Sequence, residues 1–242
     1  MNRFRTPVRV AILAAAFVTA GCAPTEVQTT FERNAQMPRP ERILVYDFAT
    51  SPSDVQLDRG LTAQVQQALE GAPSLTAQQI QIGRKVARTI SERLVSQINA
   101  MGLPAERVSG APGRWGRAVV IEGQLLSVNQ GNRTQRLVIG LGVGHSDVQS
   151  EVQVYATTPQ GLERLAAFTT DARSGYKPGA AETMGAGAAA GTLGVAAAVS
   201  AGTGVLSETL SADVQADAER TADGVAQQLQ QYFAQQGWIA PQ

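Results

Sequence analysis

The chain has 242 residues and a mass of 25.4 kDa, which suits one compact core with appendages. Lys and Arg together number 20, as do Asp and Glu. Without a basic excess we expect no nucleic-acid partner, because neutralising phosphates supplies most of the affinity of such proteins. One Cys and one His exclude disulfide frameworks and Cys/His zinc sites, so we expect no metal and no cofactor.

The first 21 residues have the three parts of a secretory signal peptide. Arg3, Arg5 and Arg9 form a basic start, an apolar run covers 10–18, and small residues precede Cys22. The apolar run is shorter than the roughly 20 residues of a membrane-spanning helix. We expect residues 1–21 to be removed after export, and taking three arginines from 20 basic residues leaves 17 against 20 acidic ones.

The stretch VTAGC (18–22) resembles the lipobox of bacterial lipoproteins, with Thr19 where the usual motif has Leu. The resemblance implies that cleavage precedes Cys22 and that its thiol carries diacylglycerol, with acyl chains such as palmitate. Each buried methylene contributes about 0.8 kcal/mol, so two or three chains hold a protein firmly on a membrane. By the sorting rule of Gram-negative lipoproteins, Ala23 implies the periplasmic face of the outer membrane.

The segment after the cysteine lacks apolar periodicity and ends in Pro38-Arg39-Pro40. We therefore predict a lipidated cysteine and flexible tether over 22–40. The β-forming run ILVYDF (43–48) predicts the first strand of a domain that covers 41–178.

Two helical patterns follow that strand. A short helix is expected over 57–69, before Gly71-Ala72-Pro73. A long amphipathic helix is predicted from a capping box of Thr76 and Gln79 to Gly102. Its apolar positions recur at spacings of three and four: Gly83, Ala87, Ile90, Leu94, Ile98 and Met101.

Three β-rich stretches come next, over 118–128, 136–157 and 162–172, with a turn at Pro159-Gln160-Gly161. Within 150–155, apolar and polar residues alternate, which is typical of a sheet with one wet face. The order of elements predicts an α+β fold: an antiparallel or mixed sheet with the long helix packed on it.

The segment 179–206 is mostly Gly and Ala and contains one charge, Glu182. Positions 185–206 are uncharged and long enough to span a membrane, and Gly187 and Gly191 have the spacing of close-packed helices in lipid. Gly and Ala nevertheless favour membrane transfer only weakly. A membrane-embedded or pore-lining segment, a close-packed loop or helix hairpin, and an oligomer contact all remain open.

The sequence predicts a C-terminal helix and tail over residues 207–242. The helix should end at Gly237, with Trp238 and Ile239 folding back on the core. Its narrow apolar stripe, which packs on the sheet or on a partner helix, comprises Leu210, Val214, Ala218, Ala222, Val225, Leu229 and Phe233.

From Arg42 to about Trp238 the chain resembles the bacterial lipoproteins grouped as domain of unknown function 4410. The resemblance is carried by ILVYDF, by VVIEG (119–123), by RLVIGLGVGHSDVQSEVQVY (136–155) and by the Gly/Ala segment before a terminal helix. It implies an exported lipoprotein and assigns no activity.

Three features could indicate catalytic or ligand-binding chemistry. The glycines of 140–144 are not followed by a helix, so they indicate a bend or bulge and not a nucleotide loop. His145 and Asp147 resemble a base with its orienting carboxylate, but without a Gly-x-Ser-x-Gly elbow we favour a turn or sheet-face histidine. Glu122 is either a buried carboxylate with a partner such as Arg136 or the outward residue of a strand.

We therefore expect a non-enzymatic lipoprotein on the periplasmic face of the outer membrane that serves as a binding or assembly module of the envelope. Its partners would be the membrane, through lipid on Cys22, and an envelope protein or a second copy of the chain. The alternatives are an oligomeric secretion or channel-like component that inserts the Gly/Ala-rich segment and, more distantly, a hydrolase that uses His145.

Overall fold

The computed structural model describes residues 25–33, 36–58, 74–109, 116–132, 135, 144–174 and 212–240. The elements in chain order are β1 (Thr25–Glu32), β2 (Arg42–Tyr46), a 3-10 helix (Pro52–Asp54), β3 (Val55–Gln56), α1 (Leu75–Ala100), β4 (Ala105–Val108), β5 (Ala118–Asn129), β6 (Asp147–Thr158), β7 (Gly161–Arg173) and α2 (Ala212–Gln235). This set of elements confirms the predicted α+β fold.

The strands form one mixed sheet of seven strands in the order β1-β7-β6-β5-β2-β4, with β3 pairing with β5. The pairs β1/β7, β7/β6 and β6/β5 are antiparallel, whereas β2 is parallel to both β4 and β5. A two-residue turn at Pro159-Gln160 joins β6 to β7, since Thr158 pairs with Gly161. The mixed sheet and this hairpin agree with the sequence prediction.

The register defines two ends of the sheet. We call one the Thr25 end, where a row of paired residues crosses four strands: Thr25, Ala172, Val148 and Val128. We call the other the Gly161 end, which is bounded by Gly161, Thr158, Ala118 and Arg42. Strand β1 starts at the Thr25 end, and β5 and β7 finish there.

Residues 25–32 form a strand, so the prediction of a flexible tether over 22–40 is wrong for this stretch. Val27 packs against the main core beside Gly224 of α2, where an added Cβ would lie 2.7 Å from a Val27 methyl group. The absence of a side chain at Gly224 lets the helix approach this closely. Sequence periodicity misses β1 because an edge strand covered on one side needs few apolar residues, and its pairing with β7 is remote in sequence.

The residues after β1 are also fixed to the domain, through hydrogen bonds between Met37 and the C-terminal tail. The Met37 carbonyl accepts a hydrogen bond from Nε1 of Trp238 (2.9 Å), and its N–H donates to Oε1 of Gln236 (2.8 Å). Trp238 is buried and packs on Phe233, with ring centroids 5.3 Å apart. The predicted return of the C-terminal tail onto the core is confirmed.

Helix α1 begins two residues earlier than the capping box at Thr76 predicts. Its N-cap is Ser74, whose hydroxyl accepts from the Ala77 N–H (3.3 Å), and Gln79 donates to the Val55 carbonyl (2.8 Å) instead of closing a capping box. The predicted stripe is buried from Gly83 to Ile98.

Helix α2 buries every described member of its predicted stripe, from Val214 to Phe233, and the chain turns after it at Gly237, where φ is +72°. Leu210 lies outside the described residues. The stripe belongs to the same apolar core as α1 and one face of the sheet, so it packs within the domain. The two helices are also joined by Arg93, which donates to both carboxylate oxygens of Asp223 (2.8 and 3.1 Å).

Both helices cover one face of the sheet. The other face carries a small buried cluster of Leu44, Tyr46, Ala118 and Val120. Within the described ranges, no helix is long and apolar enough to cross a membrane. The predicted signal peptide (1–21), Cys22, nearly all of the predicted helix over 57–69 and the Gly/Ala segment (179–206) lie outside those ranges.

Candidate functional site

A buried polar cluster lies at the Thr25 end, where α2 meets the start of β6 and the end of β7. We call it the Ser146–Asp217 cluster; its members are Ser146, Ser174, Asp217 and Arg220. The Ser146 hydroxyl donates to a carboxylate oxygen of Asp217 (2.5 Å), and Arg220 donates to the other oxygen. Arg220 also donates to the carbonyl of Arg173 (3.1 Å). The cluster therefore ties the first half of α2 to two strands.

The backbone completes this connection between β6 and β7. The Ser146 N–H donates to the Ser174 hydroxyl, and the Ser174 N–H donates to the Ser146 carbonyl, both at 2.9 Å. Just before Ser146, Gly144 has a φ of +72°, and an added Cβ would lie 2.7 Å from the Asn132 carbonyl oxygen. Glycine is required at this turn, which agrees with the predicted bend at the one described glycine of 140–144.

Asp217 is the most perturbed acid of the described residues. Its carboxyl is fully buried, and burial raises its pKa from 3.8 to about 6, with Asp213 adding to the rise. The hydrogen bonds from Ser146 and Arg220 and the positive charge of Arg220 oppose that rise. Burial wins because a carboxylate removed from water loses more solvation than these partners return.

Asp147 is the second buried acid at this end. Burial also raises its pKa, whereas a hydrogen bond with the Asn129 side chain and the charge of His145 lower it. Its carboxylate lies 3.5 Å from the Ser127 hydroxyl. His145 is exposed and precedes β6, so the predicted pair consists of a surface histidine and a buried carboxylate.

The other residues singled out by sequence have structural roles. Glu122 is half-buried and pairs across the sheet with Gln153, on the face opposite the helices, as an outward strand residue. Arg136, its other predicted partner, lies outside the described residues. Gly123 leaves room for the ring of Phe48, which an added Cβ would approach to 2.4 Å.

Sequence reasoning missed Asp217. The available signal was a charged residue on the apolar face of α2, next to Ala218 and one turn before Thr221 and Ala222. All three of those neighbours are buried. An acid inside such a stripe requires a polar partner from another element.

The cluster holds α2 against the ends of β6 and β7, and it encloses one titratable group, the carboxyl of Asp217. Ser146 and Asp217 are both fully buried, and the serine hydroxyl donates to the carboxylate, so each of the two side chains is enclosed by its partner and the surrounding core. No group of three or more His, Cys, Asp or Glu side chains in the described part of the chain is placed to hold a metal ion.

The chain enters and leaves the domain mainly at the Thr25 end. Residues 1–24 precede Thr25, 133–143 lie between β5 and β6 apart from the described Gln135, and 175–211 join β7 to α2. The segment 175–211 therefore starts after Ser174 and ends before Ala212, and both ends of the segment lie beside the Ser146–Asp217 cluster.

The fold and this cluster define an α+β domain in which two helices cover one face of a mixed sheet and a buried acid ties the second helix to that sheet. The chain belongs to the family described as "Domain of unknown function (DUF4410)", whose model matches residues 43–191. Strand β1 and helix α2 lie outside that match. No curated protein matches the chain.

Solved structures that resemble the chain share little sequence with it. A PelC dodecamer from Paraburkholderia phytofirmans is 12% identical, with a TM-score of 0.35, and the match covers 64% of this chain and 86% of that one. A crystal structure of an uncharacterized protein is 11% identical, with a TM-score of 0.33, over 81% of this chain and 96% of that one.

Proposed function

We propose that the protein is a non-enzymatic lipoprotein, anchored through Cys22 to the periplasmic face of the outer membrane, whose domain binds or assembles another envelope component. The observation that carries the proposal is the signal-like segment 1–21 followed by Cys22, since residues 18–22 form the lipobox-like VTAGC shortly before the first strand. Two or three acyl chains on one cysteine provide stable anchoring.

The buried polar groups agree with a binding role in place of catalysis. Among the described acids, Asp217 has the largest rise in pKa, and it is fully buried and bonded to Ser146 and Arg220. A catalytic acid or base must reach its substrate directly or through one water.

The anchor is tested by mass spectrometry of the protein from fractionated membranes. We expect an outer-membrane form that starts at Cys22 and carries acyl chains. Cys22→Ala should leave the unprocessed, unlipidated precursor, and Ala23→Asp should be lipidated normally but remain in the inner membrane. A processed wild-type protein without lipid would overturn the proposal, and an Ala23→Asp variant in the outer membrane would overturn the assigned sorting.

An oligomeric secretion or channel-like component is the second candidate. It is favoured by the 22 uncharged positions of 185–206 and by the return of the chain at Ala212 to the end where it left at Ser174. Extraction in mild detergent followed by size-exclusion chromatography separates the two proposals. A stable ring-sized species supports the channel-like component, and a monomer supports the binding module.

A further inference from the structure

We infer that the Thr25 end of the domain is the surface that faces the phospholipid bilayer, with the strands and both helices directed away from the membrane. The inference rests on the proposed lipidation of Cys22. Beyond the anchor itself, it specifies which end of the domain meets the membrane and which end faces the periplasm.

The chain between the proposed lipid and the sheet is short. Thr25 pairs with Ala172 and is the first residue of β1, which packs on α2 through Val27. Only three residue steps separate Cys22 from Thr25, and they span at most about 11 Å when fully extended. A lipid on Cys22 therefore holds the Thr25 end close to the headgroups.

The sheet is much longer than this link. Strand β6 has 12 residues, and at a rise of about 3.3 Å per residue it extends about 36 Å. The Gly161 end lies at the far end of this strand, where Thr158 pairs with Gly161. A link of about 11 Å is too short for the domain to turn over and bring that end to the bilayer.

The two helices run in the same direction along the sheet. Both begin at the Thr25 end: near the start of α1, Gln79 binds the carbonyl of Val55, which pairs with Val128, and near the start of α2, Asp217 binds Ser146. Each helix N-terminus carries about half a positive charge, which favours the phosphates of a bilayer surface. The first turn of α1 holds no acidic residue to offset it, whereas α2 has Asp213.

Exposed side chains favour a domain that stands end-on on the bilayer over one that lies side-on. Leu75 is 58% exposed at the tip of α1, one helical turn before Gln79, so it projects beyond the Thr25 end. The helix surfaces instead expose charged pairs such as Arg88 with Glu92, and the edge strand β1 exposes Glu26 and Gln28. An apolar tip gains from contact with lipid, whereas charged sides lose hydration in it.

The test compares two leucines of similar exposure at opposite ends of the fold. Leu162 is 49% exposed and lies one residue from Gly161. Acylation blocks Cys22, the only native cysteine, so Leu75→Cys and Leu162→Cys each offer one thiol for a fluorophore. The full lipoprotein is reconstituted in vesicles of phosphatidylethanolamine and phosphatidylglycerol that carry a nitroxide on the headgroup. We expect quenching to be several-fold greater at Leu75→Cys than at Leu162→Cys.

The exposed pair Gln215→Cys and Gln160→Cys, near the Thr25 and Gly161 ends respectively, repeats the comparison if either leucine variant fails to fold. Equal quenching at both ends of a lipidated protein would show a side-on arrangement and overturn the inference while leaving the proposed anchor intact. Stronger quenching at the Gly161 end would also overturn it. Absence of lipid on Cys22 by mass spectrometry would overturn the proposed anchor and this inference together.

Discussion

Asp217 is an ionisable side chain enclosed where α2 meets the sheet. Its pKa in the folded protein is about 6, above the ordinary 3.8, so the folded state favours the protonated acid. The stability that follows from this rise is fully present below pH 3.8 and is lost as the pH rises through 6. Burial is the main cause that raises this pKa, Asp213 adds to the rise, and Ser146 and Arg220 oppose it.

Replacing Asp217 with Asn should remove this pH dependence, because Asn stays neutral and has nearly the shape of the protonated acid. Between pH 4 and pH 7 the wild type loses this stability and Asp217→Asn does not, so we expect the free energy of unfolding of the variant to rise relative to that of the wild type by up to about 3 kcal/mol. Urea unfolding at several pH values measures the difference.

Asp223, six residues further along α2, provides a control of opposite sign. The hydrogen bond from Arg93 is the main cause that lowers its pKa, so its contribution to stability is present above pH 3.8 and is lost as the pH falls. Asp223→Asn should therefore cost more at pH 7 than at pH 3. If Asp217→Asn showed the same slope as Asp223→Asn, the raised pKa of Asp217 would be wrong.

Gly123 illustrates a second constraint at the level of one residue. An added Cβ would lie 2.4 Å from the ring of Phe48, which is buried. We expect Gly123→Ala to destabilise the domain by about 1–3 kcal/mol, as overpacking does in a close-packed core. Thermal unfolding measures the change.

Gly116 is the matched control for that substitution, because an added Cβ there meets only Glu41, at 3.6 Å. Gly116→Ala should leave stability nearly unchanged. In the Gly123→Ala background, Phe48→Leu should restore part of the loss, since a smaller side chain relieves the overlap. Equal melting temperatures for Gly123→Ala and Gly116→Ala would argue against the contact.

At the scale of elements, β1 joins the N-terminal segment to the rest of the fold. It pairs with β7 along its whole length, apart from an irregularity between Thr29 and Phe31. Arg164 lies 4.4 Å from the centroid of the Phe31 ring, which adds a cation–π contact near the end of the strand. The position of this strand determines where the proposed lipid is held.

Two adjacent substitutions, made in the chain without residues 1–22, test whether residues 25–32 form a packed strand. Val27 is partly buried on the core and Gln28 is exposed, so Val27→Asn should cost about 1–2 kcal/mol and Gln28→Asn close to zero. The free energy of unfolding in urea gives both values. If residues 25–32 were a tether, both variants would unfold like the parent chain.

At the scale of the whole molecule, one apolar core joins the sheet to both helices and the C-terminal tail. The tail closes the Gly161 end through Trp238 and Met37, while the Ser146–Asp217 cluster closes the Thr25 end. Elements remote in sequence thus share one core, and we expect them to unfold together.

This cooperativity is tested with Trp238 as a local probe in a Trp115→Phe background. Its fluorescence should change with the same urea midpoint as the far-ultraviolet circular dichroism, because its ring packs on Tyr232 and Phe233 inside the shared core. An earlier fluorescence transition would show that the C-terminal tail separates before the sheet unfolds.

Local patterns in the chain were sufficient to predict α1, α2, the alternation along β6 and the turn before β7. Each of these depends on contacts within one element or between adjacent ones, so residue spacing alone reveals them. The expected stripe from Val214 to Phe233 is buried as predicted.

Strand β1, the short strand β4 and the Ser146–Asp217 cluster became visible only in the folded structure. Thr25 finds its partner in Ala172, Ala105 pairs with Ile43, and Asp217 binds Ser146. These contacts join parts of the chain that are far apart in sequence, and an edge strand or a single buried acid produces no periodic pattern. Their positions are set by the packing of the helices on the sheet, which no local window of residues contains.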